Sequence, residues 1–174
     1  MKKIRLFIAM SLDGYIADSR GGVDWLAGQE NDQENIDVYS DFVKDIDTVL
    51  MGWNTYHQIV TELSPDKWIY HDFITYVITH NEETSSEKIR FVNKNPADLI
   101  KSLKKEKGKD IWICGGANLG QQLVNQDFID RYHITIIPTL LGSGVRLFKN
   151  AEHEVKLRLL DARSYNGMID LNYV

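Results

Sequence analysis

The sequence is short of cysteine, of excess positive charge and of long apolar runs, and each shortage closes off a class of protein. A single cysteine, Cys114, among 174 residues allows no intrachain disulfide. It lies in the apolar run Ile111-Trp112-Ile113-Cys114 and reads as a small core residue, not a nucleophile. Twenty lysines and arginines against 25 aspartates and glutamates give a net charge of −5, whereas a nucleic-acid surface normally shows a basic patch. The dense basic run from Lys101 to Lys109 is interrupted by Leu103, Glu106 and Gly108, as in a solvated helix face and its exit turn. The apolar stretch at the N-terminus is broken by Ser11, Asp13 and Gly14, so it reads as a strand and not a secretion signal. No segment approaches a membrane span. The five histidines form no i, i+4 pair and have no cysteine partner, which argues against a zinc site. Gly142-Ser143-Gly144 lacks the residue that a Gly-x-Ser-x-Gly nucleophile turn places between glycine and serine. No repeat, low-complexity tract or linker is present. These exclusions leave the expectation of one cytoplasmic domain over residues 1–174, with no nucleic-acid, membrane or metal partner.

What is present alternates between strands and helices. Residues 4–10 are mostly apolar and predict a central strand. Ser11 to Trp25, with Gly14, Gly21 and Gly22, reads as loop. A helix is expected from about Asp32 to Lys44, capped by Asn31 or Asp32, with Asn31 and Glu34 at capping-box spacing. At about 100° per residue, Ile36, Tyr39, Val43 and Ile46 form its buried stripe. Glu34, Asp37, Asp41 and Asp45 fall opposite, and only Asp32 lies in line with the stripe. Thr48–Met51 is a short buried strand. Tyr56, Ile59, Val60 and Leu63 then take the i, i+3, i+4, i+7 spacing of a helix stripe. Phe73–Thr79 and Ile89–Val92 are further strands. Asn95 caps a helix that starts at Pro96, buries Leu99, Ile100 and Leu103, and ends at Gly108. A strand at Tyr132–Ile137 precedes the loop Leu141-Gly-Ser-Gly144, and the tail from Val155 folds as a hairpin about Asn166-Gly167. The pattern is α/β, with strand–helix units first and a hairpin last.

Two of these units bear on function. Ile111–Cys114 runs into Gly115-Gly116 and then into Leu119, Leu123 and Val124 at helical spacing. Glycine lets backbone approach a ligand and adopts φ > 0, and the helix start that follows favours an anion. Thr48–Met51 likewise meets Gly52 and a helix whose first turn holds Asn54 and Thr55. Either unit alone is equally a tight turn with a capped helix. Side by side at one sheet edge, the two can hold both ends of a dinucleotide, because open α/β sheets bind ligands beyond the carboxyl ends of their strands.

In this order the chain carries Ile8-Ala-Met-Ser-Leu-Asp-Gly-Tyr-Ile-Ala17, Asp24-Trp25, Val49-Leu-Met-Gly52 with Thr55, and Gly115-Gly116. Together these motifs resemble the dihydrofolate reductase superfamily. The segment Pro138-Thr-Leu-Leu-Gly-Ser-Gly-Val-Arg-Leu-Phe148 is similar to its riboflavin-biosynthesis branch, the bacterial reductase domain and its stand-alone relatives. The resemblance spans residues 4–148. It implies a three-layer fold with a central, mostly parallel sheet flanked by helices and a C-terminal antiparallel hairpin. It also implies a homodimer, and an NAD(P)H-dependent reductase passing hydride to a C=N or C=O of a small heterocycle. The branch's best-known substrate is a ribosylamino-pyrimidine phosphate. The attached deaminase domain of the pathway enzyme is not expected, since its His-x-Glu and Cys-x-x-Cys zinc ligands are missing.

Carried over by position, the resemblance puts Ala9, Ile16 and Ala17 against the nicotinamide. Gly52, Asn54 and Thr55 lie on the adenosine-side phosphates, and Thr79 and His80 near the adenosine. Gly115 and Gly116 pass the nicotinamide and pyrophosphate, and Ala117, Asn118, Leu119 and Gly120 open the helix beneath them. Asp24 and Trp25 belong to a mobile loop, Asp13 to Trp25, that closes over the reacting ring. Arg146 is a surface cation or part of the substrate pocket or dimer contact. The resemblance implies NADPH, but the chain departs from the family at two places: Trp53 and Asn118 stand where cations commonly grip the 2′-phosphate of NADPH, so NADH is not excluded. Trp53 either stacks on adenine or is a partly exposed aromatic. For the proton, Asp32 is either the donor or a helix cap, and water is the alternative. A non-catalytic nucleotide-binding protein and a true dihydrofolate reductase stay open as other readings, although no carboxylate marks a pteridine site.

Overall fold

The computed structural model describes residues 1–27, 36–149 and 151–174. Apolar and β-branched runs build the strands in chain order: β1 (Ile4–Ser11), β2 (Tyr15–Ala17), β3 (Ile46–Gly52), β4 (Ile74–Ile78), β5 (Ile89–Val92), β6 (Asp110–Gly115), β7 (Arg131–Ile137), β8 (Val145–Arg146), β9 (Leu159–Tyr165) and β10 (Met168–Tyr173). Four α-helices lie between them: α1 (Val38–Val43), α2 (Trp53–Gln58), α3 (Pro96–Leu103) and α4 (Ala117–Asn125). Eight strands make one sheet in the order β5-β4-β3-β6-β1-β7-β10-β9. The first six run parallel, β10 is antiparallel to β7, and β9 is antiparallel to β10.

Side chains alternate across the sheet with period two, and this divides the core into two layers. Ile4, Leu6, Leu50, Ile111 and Ile113 face α3 and α4, packing on Leu99, Ile100, Leu103, Leu119 and Leu123. Val49, Met51, Val77 and Trp112 face the other way, against Phe42 of α1 and the buried Ile59 that follows α2. Helices thus cover both faces, as a mostly parallel sheet requires.

Several expectations are corrected. The segment Ser11–Trp25 is not all loop: Tyr15–Ala17 pairs with Val145–Arg146 in a second, two-stranded sheet, because Asp13 accepts hydrogen bonds from the backbone of Leu141 and Gly142 and draws the two segments together. The helix expected from Asp32 starts at Val38, where the Asp37 carboxylate accepts the Ser40 N–H at 2.9 Å; a satisfied first-turn donor sets the start. Its buried residue is Phe42, stacked on Phe7 at 4.3 Å, whereas Tyr39 is 40% exposed and Ile46 belongs to β3. Asn31, Asp32 and Glu34 lie outside the described residues. After α2 the chain widens into a π-turn, Ile59–Leu63, in which Ser64 N–H donates to the Ile59 carbonyl at 2.8 Å. That turn rotates Leu63 off the stripe and leaves it exposed. Helix α3 stops at Leu103, and Gly108, with φ +141°, serves the turn into β6.

Candidate functional site

The parallel strands β3, β6 and β1 are neighbours and point their carboxyl ends at one cleft of about 780 Å³. Both glycine junctions lie on it. β3 ends at Gly52, the N-cap of α2, and β6 ends at Gly115, from which Gly116 caps α4. The junctions touch. A Cβ on Gly116 would lie 3.7 Å from the Gly52 backbone nitrogen, and one on Gly115 would lie 3.1 Å from the Thr55 hydroxyl. Gly116 has φ +91°, a conformation that side-chain-bearing residues rarely adopt.

Of the residues expected at a cofactor, Ala9, Ile16, Ala17, Gly52, Asn54, Thr55, Gly115, Gly116, Ala117, Asn118 and Leu119 line this cleft. The others do not. Gly120 is buried within α4, its N–H donating to the Gly116 carbonyl. Thr79 and His80 sit just past β4, whose Ile78 pairs with Gly52. Thr79 is buried and its hydroxyl accepts the Asn81 N–H, while exposed His80 pairs through Nδ1 with Asn93 at 2.7 Å. Asp24 and Trp25 open a 3-10 turn, Asp24–Ala27, and do not line the cleft; their neighbours Val23 and Leu26 do. The Trp25 indole donates to the Gly22 carbonyl at 3.2 Å. Arg146 borders a separate, shallower depression with Tyr15, Ser143 and Lys149. Its guanidinium stacks over the Tyr15 ring at 4.7 Å. Trp53 lines the cleft and also packs on Tyr56, at 5.6 Å, and on Phe91, so it is both wall and core.

The cleft is also lined by residues that the sequence reading did not assign to a site: Phe7, Tyr39, Tyr70, Trp112 and Cys114. Period two was the available signal for two of them, because Phe7 shares a strand face with Ala9, and Trp112 shares one with Cys114. Tyr70 comes from the irregular segment before β4, and no spacing rule reaches it. Cys114 is a half-buried wall residue whose thiol donates to the Tyr70 oxygen at 3.2 Å. Burial pushes that thiol up to about 12 and pushes the Tyr70 phenol well above its ordinary value, so both keep their protons at neutral pH. Gln58 lines the cleft as well, and its amide donates to the Gly21 carbonyl at 2.7 Å, tying α2 to the first loop.

One buried carboxylate also escaped the sequence reading. Ala9, Thr135 and Asp170 form one row across β1, β7 and β10, and the Thr135 hydroxyl donates to Asp170 at 2.9 Å. Burial raises the Asp170 carboxyl above its usual range.

Comparison with known proteins places this geometry. An uncharacterized Bacillus subtilis protein, YwjB, is 39% identical over 99% of this chain and 98% of its own length. A Shewanella protein provisionally described as acting in riboflavin biosynthesis has a crystal structure that superposes with TM-score 0.85 at 29% identity, covering 98% of this chain and 97% of that one. The Thermotoga maritima diaminohydroxyphosphoribosylaminopyrimidine deaminase/5-amino-6-(5-phosphoribosylamino)uracil reductase shares the fold, with TM-score 0.71 at 14% identity over 99% of this chain and 56% of that one. So does Enterococcus faecalis dihydrofolate reductase, with TM-score 0.65 at 17% identity over 98% and 95% of the two chains. The fold is therefore dihydrofolate-reductase-like, and with the family model of the RibD C-terminal domain matching residues 2–169, the chain belongs to that reductase-like family.

Proposed function

We propose that the protein is a reductase that uses NADPH or NADH to deliver hydride to a C=N or C=O of a small heterocyclic substrate, as the 5-amino-6-(5-phosphoribosylamino)uracil reductases do. The observation that carries this reading is the contact between the two glycine junctions. A Cβ built on Gly116 would lie 3.7 Å from the Gly52 nitrogen, so the two adjoining helix starts can offer backbone N–H groups to one anionic ligand. A Cβ at Gly116 would fill that cradle, so the residues present fit a dinucleotide.

Gly52, Asn54, Thr55 and the start of α4 would hold the phosphates. Ala9, Ile16 and Ala17, small or apolar and on the same cleft, would keep water from the ring. A reduced nicotinamide bound there supplies the hydride. Among the described residues Lys149 is the sole cation on the cleft, and Trp53 and Asn118 occupy the places of 2′-phosphate cations. Discrimination between NADPH and NADH is therefore weak. Water or Asp32 supplies the proton. The partners are a small molecule and a second copy of the chain, in the cytoplasm.

A thermal-shift titration with each nucleotide tests the proposal. Saturation to about 100 times Kd stabilises by about 2.7 kcal/mol, and no shift with either nucleotide sinks it. Thr55→Val keeps the shape but removes a hydroxyl donor, and is expected to weaken nucleotide binding by about tenfold. Nucleotide binding without turnover of any pyrimidine, pteridine or simple carbonyl would leave a non-catalytic binding protein.

A further inference from the structure

The half of the cleft beside Cys114 differs in chemistry from the half beside the glycines. Its wall is aromatic. Tyr39 meets Trp112 edge-on at 5.9 Å and Phe7 at 6.3 Å, and Tyr70 meets Trp112 edge-on at 5.2 Å. The indole N–H of Trp112 is already spent on the Phe7 carbonyl, at 3.1 Å, so Trp112 offers only ring surface. Ile69 and Leu26 continue the apolar lining. Such a wall favours a flat ring, stacked or edge-on.

Among the described residues, no charged side chain lines this part of the cleft. Lys149, the one cation on the cleft among the described residues, belongs to the α4 side, where its backbone N–H donates to Gln121 at 2.7 Å. Arg146 lines the neighbouring depression and is engaged with Tyr15. A phosphate pressed against the aromatic wall would lose hydration and gain no paired charge in return.

Two neutral polar groups interrupt the wall. The Cys114 sulfur and the Tyr70 oxygen lie 3.2 Å apart, and both the thiol and the phenol carry a proton that can be donated. When the thiol donates to the phenol oxygen, the Tyr70 hydroxyl has its own proton to offer a ligand. Cys114 directly precedes Gly115, so this donor sits beside the glycine junction.

We propose that the aromatic half of the cleft takes a flat, uncharged ring bearing a carbonyl or imine, and that the Tyr70 hydroxyl, held in place by Cys114, donates the hydrogen bond that recognises its heteroatom. The proposal rests on the reductase reading and narrows it: the substrate ring carries no phosphate. A heteroatom accepting from Tyr70 would gain negative charge during reduction, and a fixed donor to it would favour that change. Cys114 acts through Tyr70 and is a positioning residue.

Calorimetric titration of the whole protein tests this, with isatin and menadione as neutral flat rings and uridine 5′-monophosphate as a phosphorylated one, each with and without saturating NADPH. At least one neutral ring is expected to bind tenfold or more tighter than the nucleotide monophosphate. Tyr70→Phe keeps the ring packing and should weaken that binding three- to tenfold while leaving NADPH affinity unchanged. Cys114→Val should weaken ring binding by a smaller factor, and Cys114→Ser, which retains a donor, should restore it. Tighter binding of the monophosphate overturns the proposal. So does failure of both neutral rings to bind, or a Tyr70→Phe protein that binds them as the parent does. Failure of NADPH alone to bind strikes the reductase reading instead, and the titrations without nucleotide keep the two results apart.

Discussion

His133 places an imidazole under α1, 5.1 Å from the Phe42 ring and 6.1 Å from Phe7. Its Nε2 is buried and has no hydrogen-bond partner among the described residues. Burial, then the charges of Arg5 and Arg131, lowers its pKa from 6.5 to about 4. An unfolded chain therefore takes up a proton near pH 6.5 that the folded chain refuses until about pH 4. Stability from this residue is fully present above pH 6.5 and is lost as pH falls toward 4, by up to about 3 kcal/mol. His133→Phe removes both the unpaired nitrogen and the titration. Urea unfolding from pH 4.5 to 8 is expected to show a flatter slope in the variant; an unchanged slope would assign the acid sensitivity to another group. The same scale shows what the sequence reading of Cys114 as a core residue left out: it packs on the core and also lines the cleft. Its type and its apolar run gave a core residue, and only the neighbouring Tyr70, 44 positions away in sequence, makes it part of a wall.

The elements differ in how much of each was legible. Asn95-Pro96 announces α3 without ambiguity: the Asn95 side chain accepts the Ala97 N–H at 2.9 Å, Pro96 sits in the first turn, and Leu99, Ile100 and Leu103 are buried. Asn95→Ala is expected to destabilise by about 1 kcal/mol, read as a lower urea midpoint with an unchanged m value. The hairpin was equally plain, since Asn166 (φ 47°) and Gly167 (φ 70°) take the left-handed pair that a two-residue turn demands. Helix α1 was misjudged because periodicity alone cannot say which of several acidic residues caps. Asp37 does so by its contact with Ser40, and that moves Phe42 onto the sheet. The π-turn at Ile59–Leu63 leaves no mark on a 3.6-residue stripe, so the outward rotation of Leu63 could not be read.

At the scale of the molecule, strand order is what assembles the site. β3 and β6 are 64 residues apart at their starts, yet their parallel pairing sets Met51 against Gly115 and brings the two glycine junctions into contact. The far edge of the sheet has a different use. β9 is exposed from Leu159 to Ser164, an open edge of the kind proteins usually cover. Within one chain Arg163 Nε donates to Asp161 at 2.7 Å; pairing two copies antiparallel about Ala162 would set Asp161 of each against Arg163 of the other and let the pair exchange across the contact, and we propose this as the dimer contact. Sedimentation should show a dimer at micromolar concentration that Arg163→Asp dissociates and that Asp161→Arg with Arg163→Asp restores. A monomeric parent protein would exclude it.

The sequence by itself determined what is local: the strands, the capped helix α3, the Asn-Gly hairpin and the two strand–glycine–helix units, all of which follow from periodicity, turn chemistry and the absence of a Cβ. The resemblance to reductases rested on those units and on their order. Tertiary structure alone decided which residues share the cleft. Contacts between Tyr70 and Cys114, or between Thr135 and Asp170, join positions that no period relates. The aromatic wall of the cleft therefore became visible only once the sheet was assembled, because pairing in space depends on strand register and not on distance along the chain.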